Sequence, residues 1–495
     1  MGFWSSLFQR STAVKAPRAR SLQTRRYRAP VPTNSSDGFI PSGGHERVPS
    51  ALRTISARSR DLAHNNPLAK RAVTVLTAHT VGKGIRFSFT GDKAYDAAFF
   101  EWAKNPALCD HERRLTFYGQ QHVATRTMFE AGDSFIIMRE VRDSVTGQLR
   151  LTLQLIDPDL VDTGARPKTP GHECISGVEI DRDGLVVGYH FRSAGQTGGA
   201  ATFVPAEDVI HLYETVYPGQ LRGIPRGAQA LLYVDDQASL MSAAIAKLRV
   251  ETCAGIAIIR NADDVSGGIL GGEDDGAEPE GDFAYRPERL DTGMIIELRP
   301  GEDIKTIPAS SGSGVIDYMR VSMRAIAMAY DVTYSQLTGD LEKVNFSSEK
   351  AGRMEFNRVI DATREHFILA QLSKIEARFR SVYEANGGTV AVALEVTIVP
   401  PARERIEPAK EVLADMTEMA AGLKSFPQAC LERGNDPEVQ LNEVAVWSKR
   451  IADAGAPVKF GSLDMTAAAL AAVVAADAQA EASADNSTSL DQDEE

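Results

Sequence analysis

The side chains able to do chemistry in this chain are scattered, and their spacing decides what they can do. Cys109, Cys174, Cys253 and Cys430 are its four cysteines, and none forms a C-x-x-C pair. That spacing argues against a zinc site or disulfide framework and suits small buried thiols in a reducing compartment. No G-x-x-x-x-G-K loop followed by Ser or Thr is present, which excludes a P-loop ATPase. A G-x-S-x-G nucleophile elbow and an H-E-x-x-H helix are missing too. Gly82-Lys83-Gly84 lacks the last glycine of a dinucleotide fingerprint and follows a helical pattern, so it reads as a helix end turning into a strand. His211 lies on an apolar strand pattern and reads as a hydrogen-bonded core histidine. The acids between Gly267 and Asp282 lack EF-hand spacing, and that glycine-rich stretch reads as a mobile loop. No catalytic residue, metal or cofactor is therefore expected. Carboxylates that converge only in the fold keep a metal-dependent nuclease open as an alternative.

The charge balance narrows the partners. The chain has 495 residues, 43% hydrophobic and 24% charged, with a net charge of -13. At roughly 100–200 residues per domain, about three domains or one layered subunit are expected. A tight DNA binder is usually basic, because Lys and Arg replace phosphate counterions. This chain as a whole is not of that kind, although an acidic protein can let DNA slide. Met1 to Ser36 contains no acid and seven basic residues, which fits a flexible basic arm better than a transit peptide. Ser462 to Glu495 contains no base and reads as a solvated acidic tail. No apolar run reaches the ~18–20 residues of a bilayer span, so no membrane partner is expected.

The elements follow from hydrophobic periodicity. Arg47 to Val81 predicts a helix, Ile85 to Phe89 a strand, and Tyr95–Ala103 and Tyr118–Ala131 further helices. Ser134–Val141, Leu149–Ile156, Ile175–Ile180, Leu185–Phe191 and Val209–Tyr213 predict a β-rich, antiparallel region. Tyr217 to Pro225 is turn-rich and leads into a long helix with the stripe Leu231, Val234, Ala238, Met241, Ile245 and Leu248. Such a stripe is core packing, and in a ring subunit it would also pack on a neighbour. Strands Gly255–Ile259 and Met294–Leu298 and a helix Val315–Tyr330 follow. The segment Asp331–Arg353 breaks that helix, turns at Thr338-Gly339-Asp340, and offers Ser347 as N-cap and Glu349 in the first turn of a helix running to about Tyr383. A helix of that length spans roughly 50 Å, and Gly387-Gly388 closes it.

Several ordered blocks resemble the lambda-type portal proteins of tailed bacteriophages. They include Ala57-Arg58-Ser59-Arg60-Asp61-Leu62, Asn65-Asn66-Pro67, Trp102 with Cys109-Asp110, and Gln154 to Asp159. Val209 to Tyr213, Pro218 to Pro225, Leu337 to Asp340 and Asn345 to Ser348 complete them, so the resemblance covers roughly Ser50 to Val399. It implies an α+β, helix-rich portal fold with wing, stem, clip and crown in a ring subunit. The divisions expected are a basic arm (1–46), wing (47–226), stem helix (227–254), clip (255–308) and second stem helix (309–331). A tunnel loop (332–346), a long tunnel helix (347–386), a wing return with crown (387–460) and an acidic tail (461–495) follow.

The implied role is a non-enzymatic ring of about twelve copies at one capsid vertex. Double-stranded DNA would be packaged and ejected through it. The implied partners are terminase, the major capsid or scaffolding protein, and a head-completion adaptor; the implied location is the virion, after assembly in the host cytoplasm. Lys343, Val344, Asn345, Phe346, Ser347 and Ser348 would form the DNA-channel loop. Lys343 and Asn345 could make weak, exchangeable phosphate contacts, or Lys343 is a solvated surface lysine. The family usually has Tyr where Phe346 stands and Arg where Lys350 stands, swaps that keep size or charge. Another capsid or adaptor protein is the structural alternative.

Overall fold

Asn66-Pro67 cuts the first apolar run in two. Where one helix is predicted over Arg47 to Val81, α1 spans Pro49–Asn65 and α2 spans Pro67–Thr80. Pro67 has no N–H to give and pushes the residue before it out of the helical region. Asn66 is accordingly extended, and its side chain accepts from Leu68 N and Ala69 N at 2.9 and 3.3 Å. The computed structural model describes residues 49–144, 147–193, 201–253, 257–260, 302–305, 313–340, 346–403 and 408–455. The basic arm, the acidic tail, the Gly267–Asp282 loop and the strand expected at Met294–Leu298 lie outside them. The chain divides into two units, Met1–Ile85 with Ala94–Val392, and Arg86–Lys93 with Ala393–Glu495.

After β1 (Arg86–Thr90), the chain forms α3 (Lys93–Lys104), α4 (Pro106–Cys109) and α5 (Phe117–Ala131). Gly84, at φ +109, lies on the Tyr118 ring, where a Cβ would stand 2.6 Å away. Seven strands follow: β2 (Asp133–Arg142), β3 (Leu149–Ile156), β4 (Glu173–Ile175), β5 (Val178–Ile180), β6 (Val186–Phe191), β7 (Thr202–Pro205) and β8 (Val209–Tyr213). They make two antiparallel sheets, ordered β3-β2-β8 and β4-β5-β6-β7. Phe135, Ile137, Val178, Tyr189 and Val209 belong to one core shared by both. The strand predicted over Ile175–Ile180 is instead a hairpin. Ser176 and Gly177 have φ of 52° and 83°, the double positive φ that a tight two-residue turn requires.

A 3-10 turn at Arg226–Gln229 leads into α6 (Leu231–Cys253). β9 (Ala257–Arg260) pairs antiparallel with β10 (Glu302–Lys305), and α7 (Ser313–Ala329) returns to pack on α6. Then come α8 (Tyr334–Thr338), α9 (Phe346–Thr363), a π-helical segment Arg364–Leu369 and α10 (Ala370–Ala385). The long helix predicted here is present but carries this wider turn. Arg364 opens the turn and donates to Thr80 O and His79 O at 2.9 and 2.8 Å, satisfying the last carbonyls of α2. Gly387, at φ +87, terminates α10 as predicted.

In the second unit β1 pairs antiparallel with β11 (Glu395–Val399), a strand not anticipated from periodicity. Among the described residues it also holds α11 (Pro408–Ala420), α12 (Phe426–Glu432) and α13 (Pro437–Asp453). Lys424 Nζ and an Arg433 guanidinium nitrogen each lie 2.7 Å from the Asp415 carboxylate, holding α11 to the α12 region.

Candidate functional site

The segment after α7 opens with a capped short helix. Asp331 adopts φ 55°, an unusual conformation for a residue with a side chain, and ends the run of α7. Thr333 and Gln336 form a reciprocal capping box that starts α8, and Leu337 is buried beneath it. Gly339, at φ +73, ends α8 in the left-handed conformation, as the Thr338-Gly339-Asp340 turn predicted. Val332 to Thr338, expected as part of an open loop, is thus folded. Of the predicted loop residues, Lys343, Val344 and Asn345 lie outside the described residues. Phe346 is the first residue of α9, and Ser347 and Ser348 are exposed in its first turn. Ser347 therefore sits one position beyond the start of the helix.

The two feet of the loop are tied together. Ser335 Oγ donates to Glu349 Oε2 at 2.7 Å, joining α8 to the first turn of α9. Arg71 Nε donates to Gln336 O at 3.0 Å, fixing α8 to α2. Periodicity could not show the Ser335–Glu349 pair, because it bridges two helices whose mutual placement comes from packing.

A polar joint gathers around Arg226. Arg226 Nε donates to Glu214 Oε2 at 3.0 Å and Nη2 donates to Thr363 Oγ1 at 3.0 Å. Thr363 Oγ1 donates in turn to Glu214 Oε1 at 3.2 Å, and Arg226 Nη1 stands 3.8 Å from Asp331. One guanidinium, ahead of α6, thus links the residue after β8, the residue Asp331 beyond α7 and the last residue of α9.

A second joint locks the sheet to the approach to α6. Asp133 is 1% exposed and accepts from Arg222 Nε at 2.7 Å, from Gly223 N at 2.5 Å and from His211 Nε2 at 2.9 Å. Burial opposes its charge, but Arg222, His211 and the Gly223 N–H together hold its carboxyl below the usual range. Burial holds His211 below the usual imidazole value despite Asp133, so the neutral ring donates to the carboxylate. His211 is the bonded core histidine the sequence suggested, stacked 4.3 Å from Phe135. In the other sheet Glu179 accepts from Lys168 N, Thr169 N, His190 and His172. Burial opposes ionisation there too, and these donors outweigh it, bringing the carboxyl down to about 2. Among the described residues, no three or more His, Cys, Asp or Glu side chains are grouped to hold a metal ion, and no helix is long and apolar enough to cross a membrane.

The residues of the resemblance recur at such joints. Arg60 bridges Asp157 and Asp159 at 2.8 Å each, and Trp102 Nε1 donates to Leu151 O at 2.9 Å. Asp110 accepts from Arg114 N and Leu115 N at 2.7 and 2.8 Å. The profile of the family described as "Phage portal protein, lambda family" matches residues 35–364. The chain belongs to this family. The portal protein of Escherichia phage N15 is 24% identical over 448 residues, covering 77% of this chain and 81% of that one. Portal protein B of Escherichia phage lambda is 23% identical over 444 residues, covering 77% and 80%. Among solved structures, a chain of the virion of a native gene transfer agent particle is 15% identical with a TM-score of 0.47, covering 77% of this chain and 94% of that one. An HK97-family phage portal protein from Corynebacterium diphtheriae is 14% identical with a TM-score of 0.34, covering 72% and 97%.

Proposed function

We propose that this portal-family chain works as a non-enzymatic ring subunit, about twelve copies enclosing a passage for double-stranded DNA at one capsid vertex. The wing is residues 47–226, the stem the helices in 227–254 and 309–331, and the clip 255–308. Residues 387–460 form the wing return and crown. The ring docks terminase during packaging and a head-completion adaptor afterwards, within a shell of capsid or scaffolding protein; it is built in the host cytoplasm and remains in the virion.

The observation that supports the DNA-facing assignment is the Ser335–Glu349 bond, which ties together the segments that precede and follow residues 341–345 in the sequence. A segment whose flanks are fixed can follow a moving polymer without the chain refolding. Lys343 and Asn345 supply weak phosphate contacts, and the exposed hydroxyls of Ser347 and Ser348 can donate to phosphate oxygens without adding charge. The net charge of -13 limits the electrostatic trapping that strongly basic contacts would impose. Phosphate contact without a base-reading element makes passage independent of sequence.

The test is a deletion confined to 341–345, which spares the capping box and the buried Leu337. Rings seen by electron microscopy should persist, and particles assembled with the variant should contain no packaged DNA. Normal DNA filling would show that the loop does not serve the passage. Purified parent chain that never forms rings would overturn the portal reading itself.

A further inference from the structure

In the order β3-β2-β8, β3 is an edge strand. An edge leaves a row of backbone groups open to pairing with another strand. Here other parts of the chain cap the row. The outward carbonyls belong to Leu149, Leu151 and Leu153, at the two-residue repeat of a strand. Trp102 Nε1 donates to Leu151 O at 2.9 Å, and His111 N donates to Leu153 O at 2.9 Å. One amide caps Leu149 at both of its backbone groups. Asn386 Nδ2 donates to Leu149 O at 2.7 Å, and Leu149 N donates to Asn386 Oδ1 at 2.8 Å. The Asn386 side chain thus stands where the peptide group of a neighbouring strand would.

Asn386 is also the C-cap of α10, and Gly387 follows it at φ +87. Asn386-Gly387 is the one Asn-Gly pair in the chain, and both residues are exposed. Such a pair is reactive, because glycine has no Cβ to shield its backbone nitrogen. Once Gly387 N has lost its proton to water or hydroxide, it can attack Asn386 Cγ. A C–N bond forms, the Cγ–Nδ2 bond breaks, and ammonia leaves a five-membered imide. Water then opens either imide C–N bond to give aspartate or isoaspartate. The net change is one water consumed and one ammonia released. Two contacts oppose the attack in the folded chain. Leu149 holds the amide by both ends, so its carbon cannot swing onto Gly387 N. The Gly387 N–H is itself occupied, donating to Glu384 O at 2.9 Å.

We infer that Asn386 is a deamidation site guarded by the contact it makes, and that its conversion unclasps the edge of β3. The product carboxylate has no donor for Leu149 O, so two acceptors would face each other where a 2.7 Å bond stood. The new charge also sits at the C-terminus of α10, where the helix dipole disfavours an anion. Once released, Leu149 N and O can pair with a strand from another molecule. The chemistry needs a single copy and is independent of ring formation.

The full-length chain is held at mildly alkaline pH, both natively and in guanidinium chloride, and conversion of Asn386 is followed by peptide mass spectrometry. Conversion should be several-fold slower in the native chain. Hydrogen exchange then reads the clasp. In the aged, deamidated chain, and in Asn386→Asp made directly, the Leu149 amide should exchange several-fold faster than in the parent, while amides in β8 keep their protection. Equal conversion rates with and without denaturant would show that the fold does not guard Asn386. An asparagine that stays intact even in guanidinium chloride would overturn the site. Parent-like exchange at Leu149 in N386D would overturn the unclasping. Ageing is measured on the parent, so that half of the test stands even if the variant fails to fold.

Discussion

At the scale of single residues, buried acids do the joining. Asp133 and Arg222 have side chains 1% and 9% exposed, so neither charge can turn to water if the other is removed. Asp133→Ala leaves the Arg222 guanidinium and the Gly223 N–H without their acceptor. The expected loss is about 3–5 kcal/mol of unfolding free energy, read from urea denaturation. A change within error of zero would mean that the joint relaxes at no cost. Glu179 gives a pH signature. Its folded carboxyl titrates at about 2, below the ordinary 4.5. The ionised form is thus favoured by folding, and its contribution is fully present above about pH 4.5. It is lost as pH falls from there toward 2. The melting temperature of the parent should drop in that window, and Glu179→Gln should be less stable at neutral pH with a shallower drop.

At the scale of elements, the loop mount is the unit of interest. The capping box, the Gly339 turn and the Ser335–Glu349 bond convert a helix break into a short helix fixed on both sides. Ser335→Ala removes one hydrogen bond to a charged acceptor, about 1.5 kcal/mol. Amide exchange in Tyr334–Thr338 should quicken while that in β2 stays unchanged; equal protection in both proteins would show that Arg71 alone holds α8. The surrounding elements were legible to different degrees. β8 and β3 have the predicted bounds because the alternation of β3 and the short β-branched apolar run of β8 are both strong local signals. The Ile175–Ile180 hairpin was not, since Ser176-Gly177 looks like an ordinary interruption until the strands on either side pair. β11 escaped notice because its burial pattern carries little alternation and its partner β1 lies some three hundred residues earlier. The π segment left no periodic trace; it coincides with Arg364 reaching the end of α2.

At the scale of the whole molecule, charge is placed at the ends. Met1 to Ser36 has no acid and Ser462 to Glu495 no base, which suits peripheral contacts with partners or nucleic acid. Removing Met1–Ser36 should therefore leave the ring population in sedimentation unchanged. Loss of rings in the truncated chain would assign the arm a structural role.

The sequence by itself determined the class of protein and most of the element order. Periodicity and turn residues act locally, and the blocks from Ala57 to Ser348 keep their order along the chain, so both are readable in one dimension. It also determined the break after α7 and the turn at Gly339, because backbone conformation there depends on a few adjacent residues. Only the tertiary structure decided how that break is mounted. Ser335 meets Glu349, Arg226 meets Glu214 and Thr363, and Asp133 meets Arg222 because packing brings distant helices and strands together. Hydrogen bonds between residues far apart in sequence leave no spacing to read. The same holds for the stripe on α6: its periodicity is visible in the sequence, but only the fold brings Leu52 and Ile55 of α1 against its first residue, Leu231.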